Sequence, residues 1–299
     1  MKRIAILGYG AVARLHAAGL LKSGGVALHS VFGPNTAKAR DFAEAFNIPH
    51  ATGDIAAALL GADAAIVCSP SPRHFEQARE AVERVPAVLV ELPACGSVAE
   101  ARALAQAASQ RGTALHCAHT SRYLTPYRRI SEWIRERLPG PVLQVRYARS
   151  VPPREHSWVD DALLHHAEHP LDLFLLWFGD VRPLGSALSP KTGPPQDAAL
   201  LAELPSGVPL SVSISYSSRI GGILRTIICK NHTVETDGFS FIRSDCAAWN
   251  QSFDGQREYE SAIGEQDRAF LSGQGIPWIE TMRLTSVVER FRVLARSVA

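Results

Sequence analysis

The feature that most constrains this chain is a glycine-rich turn placed directly after its first apolar run. Residues 4–7 are apolar, and Gly-Tyr-Gly-Ala-Val-Ala follows them before a helical pattern begins. Glycine lets the backbone turn sharply and approach a pyrophosphate, whose charge is stabilised by the N–H groups of a helix start. This context favours a dinucleotide site over a plain strand–helix turn. The predicted contacts are Gly8, Tyr9, Gly10, Ala11 and Val12.

The first 120 residues alternate short apolar runs with longer amphipathic stretches. Predicted strands lie at 4–7, 26–32, 64–68, 87–90 and 114–118, and predicted helices at 11–23, 36–46, 73–85 and 98–110. Apolar strands that alternate with helices indicate a parallel sheet covered on both faces. Residues 1–121 are therefore predicted to form a dinucleotide-binding domain of the Rossmann type, with a doubly wound parallel sheet.

After Pro141 the pattern changes to longer strands with one polar face. Such strands are predicted at 142–149, 210–216, 223–229 and 239–243, with helices at 160–177 and 265–298. Alternation of this kind is typical of an open antiparallel sheet. The predicted fold class is α/β, with the N-terminal Rossmann domain followed by an α+β domain over 122–299. The second domain is predicted to bind substrate and to contain a large open, mostly antiparallel sheet.

Composition and charge exclude several classes of function. The net charge is +2, from 31 basic and 29 acidic residues without a basic stripe, so no nucleic-acid partner is expected. No apolar run approaches the roughly 20 residues of a membrane helix, and the N-terminus does not resemble a secretory signal. The five cysteines are scattered, as expected for reduced thiols. The sequence therefore predicts a cytoplasmic protein without a membrane partner.

The end of the second predicted strand bears on the choice of nucleotide. A ribose-binding acid is expected there, about 20 residues after the glycine turn, but residues 33–36 read Gly-Pro-Asn-Thr. Lys38 and Arg40 follow closely, and without a carboxylate they favour NADP, with NAD as the alternative. The two cations also fit an ordinary solvated helix face. The predicted contacts at this strand end are Gly33, Asn35, Thr36 and Lys38.

Further motifs follow the later strands at a characteristic spacing. They are Cys68-Ser69-Pro70-Ser71-Pro72 with His74, Glu91-Leu92-Pro93, Arg122-Tyr123, His165-His166-Ala167-Glu168-His169-Pro170-Leu171-Asp172, and Trp177-Phe178-Gly179. Together with the glycine turn, this order resembles the glucose–fructose oxidoreductase/inositol dehydrogenase family (Gfo/Idh/MocA) over nearly the whole chain.

The resemblance implies a nicotinamide-dependent enzyme that oxidises or reduces a carbon–oxygen or carbon–nitrogen bond. Its substrate would be a small molecule such as a sugar or cyclitol, and its open sheet would form the interface of a homo-oligomer, a dimer or a tetramer. The implied cofactor contacts beyond the glycine turn and the second strand are Cys68, Ser69, Pro70, His74, Glu91, Leu92, Pro93 and Arg122.

The chain departs from the family at two catalytic positions. The family motif after the strand that corresponds to residues 87–90 is usually Glu-Lys-Pro, and its lysine helps to polarise or protonate the reacting oxygen. Here that position is Leu92, and no other lysine lies within twenty residues of it. Four residues before His169, where the family often has an acid, this chain has His165. The usual lysine–aspartate–histidine set thus becomes Leu92, His165 and His169.

The missing lysine moves the expected proton donor to other residues. His169 is the first choice because imidazole suits proton transfer near neutral pH. His165 is predicted to assist as a second acid or substrate ligand, and Tyr123 could donate through its phenol. Asp172 is predicted to orient His169. The structural alternative for His169 is a core histidine, and for His165 it is a histidine at a helix end. For Tyr123 it is packing between domains, and for Asp172 it is charge pairing.

Three other functions fit parts of the sequence. His165-x-x-Glu168-His169 matches a zinc-hydrolase pattern, but Pro170 favours a helix that starts at the proline, with His169 just before it. A cofactor-binding homologue without ordinary dehydrogenase activity, such as a sensor or partner subunit, fits the lost lysine. An imine reductase also fits, since its substrate supplies a basic atom. The predicted function is an NADP-preferring oxidoreductase.

Overall fold

The computed structural model describes residues 1–153, 159 and 161–297. The chain divides into two compact units, here called unit 1 and unit 2. Unit 1 contains residues 1–120 and 260–285, and unit 2 contains residues 121–259 and the chain from 286 onward. Asp160 and Val298, the ends of two predicted helices, lie outside the described residues.

Unit 1 is built on a six-stranded parallel sheet with the order β3-β2-β1-β4-β5-β6. The strands are β1 Lys2–Leu7, β2 Val26–Phe32, β3 His50–Thr52, β4 Ala64–Val67, β5 Ala87–Glu91 and β6 Ala114–Ala118. All of β4 is buried, as expected when helices cover both faces of a parallel sheet. The strand order reverses at β1, so the carboxyl ends of β1 and β4 flank the switch point, where such sheets bind ligands. The predicted doubly wound sheet is confirmed.

The helices of unit 1 between these strands are α1 Ala11–Ser23, α2 Thr36–Phe46, α3 Ile55–Leu59, α4 His74–Val82 and α5 Val98–Arg111. The inward face of α1 carries Ala13, His16, Ala17 and Leu20. These are positions i, i+3, i+4 and i+7, the pattern of an amphipathic helix. The predicted helix over 73–85 is shorter in the structure, because a 3₁₀ turn over Ser71–Arg73 precedes it and it ends at Val82.

The C-terminal region contains two helices, α8 Gly255–Leu271 and α9 Trp278–Ser297, where the sequence predicted one over 265–298. The helical conformation is interrupted between them, in a segment where Gly275 lies against the His116 ring and Pro277 forms a β-bridge with His116 of β6. The second domain was predicted to include residues 260–285, but these residues pack in unit 1. Phe270 is buried in the core of unit 1, and Trp278 Nε1 donates to the carbonyl of Ala101 at 2.9 Å.

Unit 2 is built on an eight-stranded sheet with the order β14-β13-β12-β11-β7-β10-β9-β8, in which only β7 and β10 pair in parallel. Its strands are β7 Val142–Ser150, β8 Arg182–Ser189, β9 Asp197–Leu204, β10 Val208–Ser215, β11 Gly222–Cys229, β12 Thr233–Thr236, β13 Phe241–Ser244 and β14 Gln251–Ser252. The predicted open, mostly antiparallel sheet is confirmed. The strand predicted at 239–243 begins at Phe241, because Asp237 accepts hydrogen bonds from the N–H groups of residues 239–241 in a turn.

The two faces of this sheet differ in burial. Helices α6 Thr125–Arg135 and α7 Glu168–Phe178 pack on one face, where the guanidinium of Arg225 lies over the rings of Tyr127 and Trp177. The opposite face exposes apolar side chains, among them Leu201 at 50% and Leu224 at 37%. Within the described part of the chain, no helix has the length and hydropathy of a membrane span.

Candidate functional site

The end of β1 and the start of α1 have the geometry that the glycine motif predicts. Gly8 has a φ of +130°, and a side chain there would lie 2.6 Å from the carbonyl oxygen of Cys68. Glycine is therefore required for two reasons: the backbone conformation, and the close approach of β1 to the end of β4. This crossing places the turn at the switch point of the sheet.

The N-terminus of α1 is suited to bind an anion. Gly10 occupies its N-cap position without a side-chain hydrogen bond, and the first turn contains no acidic residue. By contrast, Asn35 caps α2 and Ser97 caps α5. A Cβ atom added to Gly10 would meet no atom within 4 Å, so open space lies above the uncapped N–H groups. These features fit the pyrophosphate of a dinucleotide.

The end of β2 carries the residues predicted to contact the adenosine ribose. The Tyr9 ring occupies the space that a side chain on Gly33 would need, so the glycine turn and the end of β2 pack together. Asn35 Oδ1 accepts from the Lys38 N–H at 3.1 Å, which makes Asn35 a helix cap. The Lys38 side chain is exposed, as is that of Thr36.

The ends of β4 and β5 are linked through a buried histidine. The two ring nitrogens of His74 lie 2.7 Å from the carbonyl oxygen of Ser69 and 2.8 Å from that of Pro93. Cys68 is buried beside them, and burial raises the pKa of its thiol well above the usual value, so it remains a thiol. The structure thus brings together the residues predicted after the fourth and fifth strands.

A second buried histidine, which the sequence analysis did not single out, binds the side chain at the end of β5. His16 Nε2 lies 3.0 Å from Glu91 Oε1, and Nδ1 lies 2.9 Å from both carboxylate oxygens of Asp267. Burial alone would lower the pKa of His16, but the charges and hydrogen bonds of Asp267 and Glu91 outweigh it and raise the pKa to about 10. Leu92, predicted to stand where the family usually has a lysine, follows Glu91 and is buried.

In unit 2, the predicted catalytic histidines lie where a π-helical turn joins an α-helix. The π turn spans Ala162–His166 and is capped by Asp161, which accepts from the N–H groups of Leu163 and Leu164 at 2.9 Å. The prediction that a helix starts at Pro170 is wrong, because α7 begins at Glu168 and includes His169 in its first turn. Proline is tolerated there, since the first N–H groups of a helix have no intrahelical partner.

The imidazoles of this segment form a contiguous cluster. The ring centroids of His165 and His166 are 4.8 Å apart, and those of His166 and His169 are 6.4 Å apart. Tyr216, just beyond β10, stacks on His166 at 4.9 Å. His165 and His169 are half-buried, whereas His166 is buried. Tyr216 could not be predicted from the sequence, because it is remote from the histidine motif along the chain.

Glu168, within the same motif, is buried and neither of its carboxylate oxygens has a hydrogen-bond partner. Burial raises the pKa of this carboxyl well above its usual value, and the negative charges of Asp172 and Asp161 add to the shift, while Arg292 opposes it. This environment favours the neutral, protonated form of Glu168. Across the described residues, no three His, Cys, Asp or Glu side chains group as metal ligands.

Two residues predicted to have different roles bind each other in unit 2. Arg122, predicted to contact the cofactor, donates from Nε at 2.9 Å and from Nη2 at 2.6 Å to the carboxylate of Asp172. Asp172, predicted to orient His169, thus takes part in the charge pairing that was its structural alternative. Tyr123 lies under the guanidinium of Arg128, with 5.3 Å between the guanidinium carbon and the ring centroid.

Comparisons with known proteins agree with this fold. Residues 2–119 match the Gfo/Idh/MocA family model, described as "Oxidoreductase family, NAD-binding Rossmann fold". A 4-carboxy-2-hydroxymuconate-6-semialdehyde dehydrogenase from Sphingobium sp. is 27% identical over 249 residues, which cover 77% of this chain and 78% of that protein. The match to the family model confirms, over residues 2–119, the family resemblance that the motifs predicted.

Solved structures of similar proteins share the fold along their whole length. GenD2 of gentamicin A biosynthesis, solved with NAD, has a TM-score of 0.86 at 22% identity, covering 100% of this chain and 95% of that one. A 3-ketoreductase from Actinomadura kijaniata, solved with NADP and TDP-benzene, has a TM-score of 0.86 at 18% identity, covering 98% and 97%. The fold therefore occurs with either nicotinamide dinucleotide.

Proposed function

We propose that the chain is a member of the Gfo/Idh/MocA oxidoreductase family, whose model residues 2–119 match, and that it transfers a hydride between a nicotinamide cofactor and a small polar substrate. The observation that carries this proposal is the uncapped N-terminus of α1, with open space above Gly10 at the switch point of the sheet. When bound, the nicotinamide supplies or takes the hydride. The chain's own residues bind the dinucleotide, orient it and hold or move the proton.

The cofactor proposed is NADP, with NAD as the alternative. No carboxylate lies between Gly33 and Arg40, and Asn35 is engaged as a helix cap. A carboxylate at this strand end would bind the ribose hydroxyl of NAD and repel the 2′-phosphate of NADP, while Lys38 and Arg40 would attract the phosphate.

A fluorescence titration of the wild type and of Lys38→Ala with NADPH and NADH tests this preference. Tight binding of NADPH, with weaker binding of NADH, is expected in the wild type, and Lys38→Ala should reduce only the affinity for NADPH. Lys22→Ala, at the other end of α1, is the control for loss of a lysine. Equal or tighter binding of NADH by the wild type would contradict the preference.

The proposed proton donor is His169, with His165 or Tyr123 assisting. Leu92 cannot exchange a proton, whereas imidazole can donate or accept one near neutral pH. His169 is half-buried in the first turn of α7 and belongs to the imidazole cluster. On this proposal His169 protonates the substrate oxygen during reduction and accepts that proton during oxidation.

Turnover with a panel of small carbonyl and alcohol substrates tests this role. His169→Ala should lower kcat by about 10²–10⁴-fold while cofactor affinity stays unchanged. His232→Ala, which removes a surface histidine of unit 2 paired with Asp245, is the matched control. An unchanged rate in His169→Ala would remove His169 from the mechanism.

The proposed substrates are sugar-, cyclitol- or imine-like molecules with a C=O or C=N carbon. The Sphingobium relative is named as a dehydrogenase of a semialdehyde, and the Actinomadura protein as a ketoreductase. Both names describe chemistry at a carbonyl carbon, so aldehydes and ketones form the first half of the substrate panel. Cyclic imines form the second half, because their own basic nitrogen makes a lysine dispensable.

A second candidate function follows from Leu92. Without the family's lysine, the chain could bind the cofactor as a sensor or partner subunit without ordinary dehydrogenase activity. Cofactor binding without turnover across the panel would favour this function. Leu92→Lys would then separate the two: a gain of turnover would show that only the lysine was missing, and no gain would leave the binding role.

We also propose a homo-oligomer, a dimer or a tetramer, formed through the open face of the unit 2 sheet. Leu224, Ala148, Ser213 and Ala199 lie side by side on neighbouring strands of this face, so this row consists of small or apolar side chains. Leu201→Glu should reduce the mass measured by light scattering to that of one chain. Leu60→Glu, at an exposed leucine of unit 1, should leave the mass unchanged.

A cytoplasmic location is proposed from the scattered cysteines.

A further inference from the structure

Two buried histidines hold the turn at the end of β5 from different elements. His74, at the start of α4, contacts the carbonyl oxygen of Pro93, and His16, on the inward face of α1, contacts the carboxylate of Glu91. The three-residue segment between these contacts, Glu91-Leu92-Pro93, is here called the β5 turn. Its position is therefore fixed by side chains and not by sheet hydrogen bonds alone.

The contacts of His16 favour a ring that carries two protons. Both nitrogens lie within 3.0 Å of a carboxylate oxygen, and a neutral imidazole has only one N–H to donate. A charged imidazolium donates to both carboxylates, and its charge offsets theirs in a site from which water is excluded. The side chain of Glu91 is 13% exposed, whereas those of His16 and Asp267 are buried. Of these three side chains, Glu91 is thus the one that contacts solvent.

The strand order places the β5 turn beside one half of the proposed cofactor. The pyrophosphate is expected at α1, after β1, and the adenosine ribose at the end of β2. Since β4 and β5 lie on the opposite side of β1 from β2, the nicotinamide half is expected over the ends of β4 and β5. The β5 turn is therefore on the nicotinamide side of the switch point.

We propose that His16, as an imidazolium held between Asp267 and Glu91, is a positioning residue for the nicotinamide half of the cofactor site. It fixes the carboxylate of Glu91, and with it the β5 turn, in the orientation that receives the nicotinamide ribose and ring. This inference rests on the proposed function, because it requires that a nicotinamide dinucleotide bind to unit 1.

The same geometry argues against a proton relay through His16. A pKa of about 10 means that the imidazolium keeps its proton at neutral pH. The ring is also buried, so it has no direct exchange with solvent. Its contribution is a fixed positive charge and two fixed hydrogen bonds.

The test compares ligands that contain or lack the nicotinamide half. His16→Gln is titrated with NADPH, with NADH and with ADP, which keeps the adenosine and the pyrophosphate but lacks the second ribose and the nicotinamide. We expect roughly tenfold weaker binding of the reduced dinucleotides, a changed emission maximum of the bound nicotinamide, and ADP binding within about twofold of the wild type. His116→Gln, at a β6 histidine that contacts the carbonyl of Ile276, is the control and should resemble the wild type.

A second variant keeps the test decisive if His16→Gln does not fold. Glu91→Gln leaves the buried pair of His16 and Asp267 intact, so it should fold and show the same selective loss for NADPH and NADH. Equal losses for all three ligands, or no loss for any of them, would overturn the positioning role. If the wild type itself bound none of the three, the proposed function would fail, which is a different outcome.

Nitrogen-15 NMR of the imidazole groups tests the charge state independently of any ligand. Midway between pH 6.5 and 10, both ring nitrogens of His16 should resonate as protonated. A neutral His16 tautomer in this range would overturn the inference.

Discussion

His16 and Glu168 are both buried, one in each unit, yet they differ in charge. His16 lies between two carboxylates and is a cation, because the pKa of its ring is raised to about 10. Glu168 has no hydrogen-bond partner on either carboxylate oxygen and lies near Asp172 and Asp161, so its pKa is raised and its neutral form is favoured. Burial opposes the charged form of both groups, and the neighbouring charges determine the outcome.

The two units differ in the charge that they favour on buried ionisable groups near their candidate functional residues. Unit 1 keeps a buried cation where it can fix the β5 turn, since a buried charge is retained only with partners. Unit 2 keeps a buried acid next to His169 in an environment that favours its protonated form. In the proposed mechanism, a neutral Glu168 would not compete with the substrate for the proton of His169.

The largest expected effect is the pH dependence that His16 gives to stability. The folded-state pKa of His16 is raised from 6.5 to about 10, so its contribution is complete below pH 6.5 and is lost as the pH rises to about 10. We expect the free energy of unfolding to fall by several kcal/mol, on the order of 5, across this range. Denaturant unfolding at a series of pH values measures it.

His16→Gln is the control for this slope, because it removes the titrating ring. The groups that face His16 are Asp267 and Glu91, with the buried Cys68 close to both carboxylates. A slope that survives in His16→Gln would have to come from another group and would contradict the assignment.

The next effect is the loss of one partner of His16. Asp267→Asn should lower the free energy of unfolding by about 3 kcal/mol near neutral pH, because it leaves the buried imidazolium with half of its charge compensation. Glu91→Gln should cost less, since Glu91 is partly exposed and water can replace some of its interaction. Thermal unfolding of the two variants checks the order; a larger loss in Glu91→Gln would mean that the burial argument is wrong.

Glu168→Gln tests the other side of the comparison. Because the folded-state pKa of Glu168 is raised, its neutral form contributes stability that is complete below pH 4.5 and is lost as the pH rises. The glutamine variant cannot ionise, so above neutral pH it should be more stable than the wild type by about 1–3 kcal/mol. Denaturant unfolding in acid and in base measures the difference. Lower stability in base would indicate that Glu168 is ionised and paired.

The smallest expected effect comes from Arg292, which lowers the pKa of Glu168 and donates to Asp161 at 2.7 Å. Arg292→Met should move the titration of Glu168 to still higher pH, with a change in stability of about 1 kcal/mol at neutral pH. Infrared spectroscopy of the buried protonated carboxyl group follows this titration, and the absorbance missing in Glu168→Gln assigns the band. A shift to lower pH would contradict the electrostatic account.

The elements of unit 1 could be predicted well from local signals. The helices Ala11–Ser23 and Thr36–Phe46 and the strand Ala114–Ala118 have the predicted bounds, because glycine turns, an Asn35 cap and apolar runs mark them in the sequence. The open sheet of unit 2 was predicted only in part. Its strands β8, β9, β12 and β14 and the helix α6 were not identified, because local sequence preference for strands depends strongly on the tertiary neighbours of the side chains.

The candidate site divides in the same way. The glycine turn and the histidine motif are contiguous in sequence and could be recognised, and the position of Leu92 was clear from its motif. The pairing of His16 with Asp267 could not be predicted from the sequence, since Asp267 is 251 residues away along the chain. The pairing of Arg122 with Asp172 and the neutral state of Glu168 likewise depend on the folded environment.

A calorimetric titration of the wild type and of Gly10→Val with NADPH and NADH asks directly whether unit 1 binds a nicotinamide dinucleotide at α1. Gly10 has a φ of −77°, and a Cβ atom added there would meet no atom within 4 Å, so a side chain at this position is compatible with the folded chain and would obstruct a ligand. We expect the wild type to bind a nicotinamide dinucleotide and Gly10→Val to lose this binding while it stays folded, with only the small loss of stability that valine causes at a helix N-cap. Unaltered binding in Gly10→Val, or no binding in the wild type, would contradict this expectation.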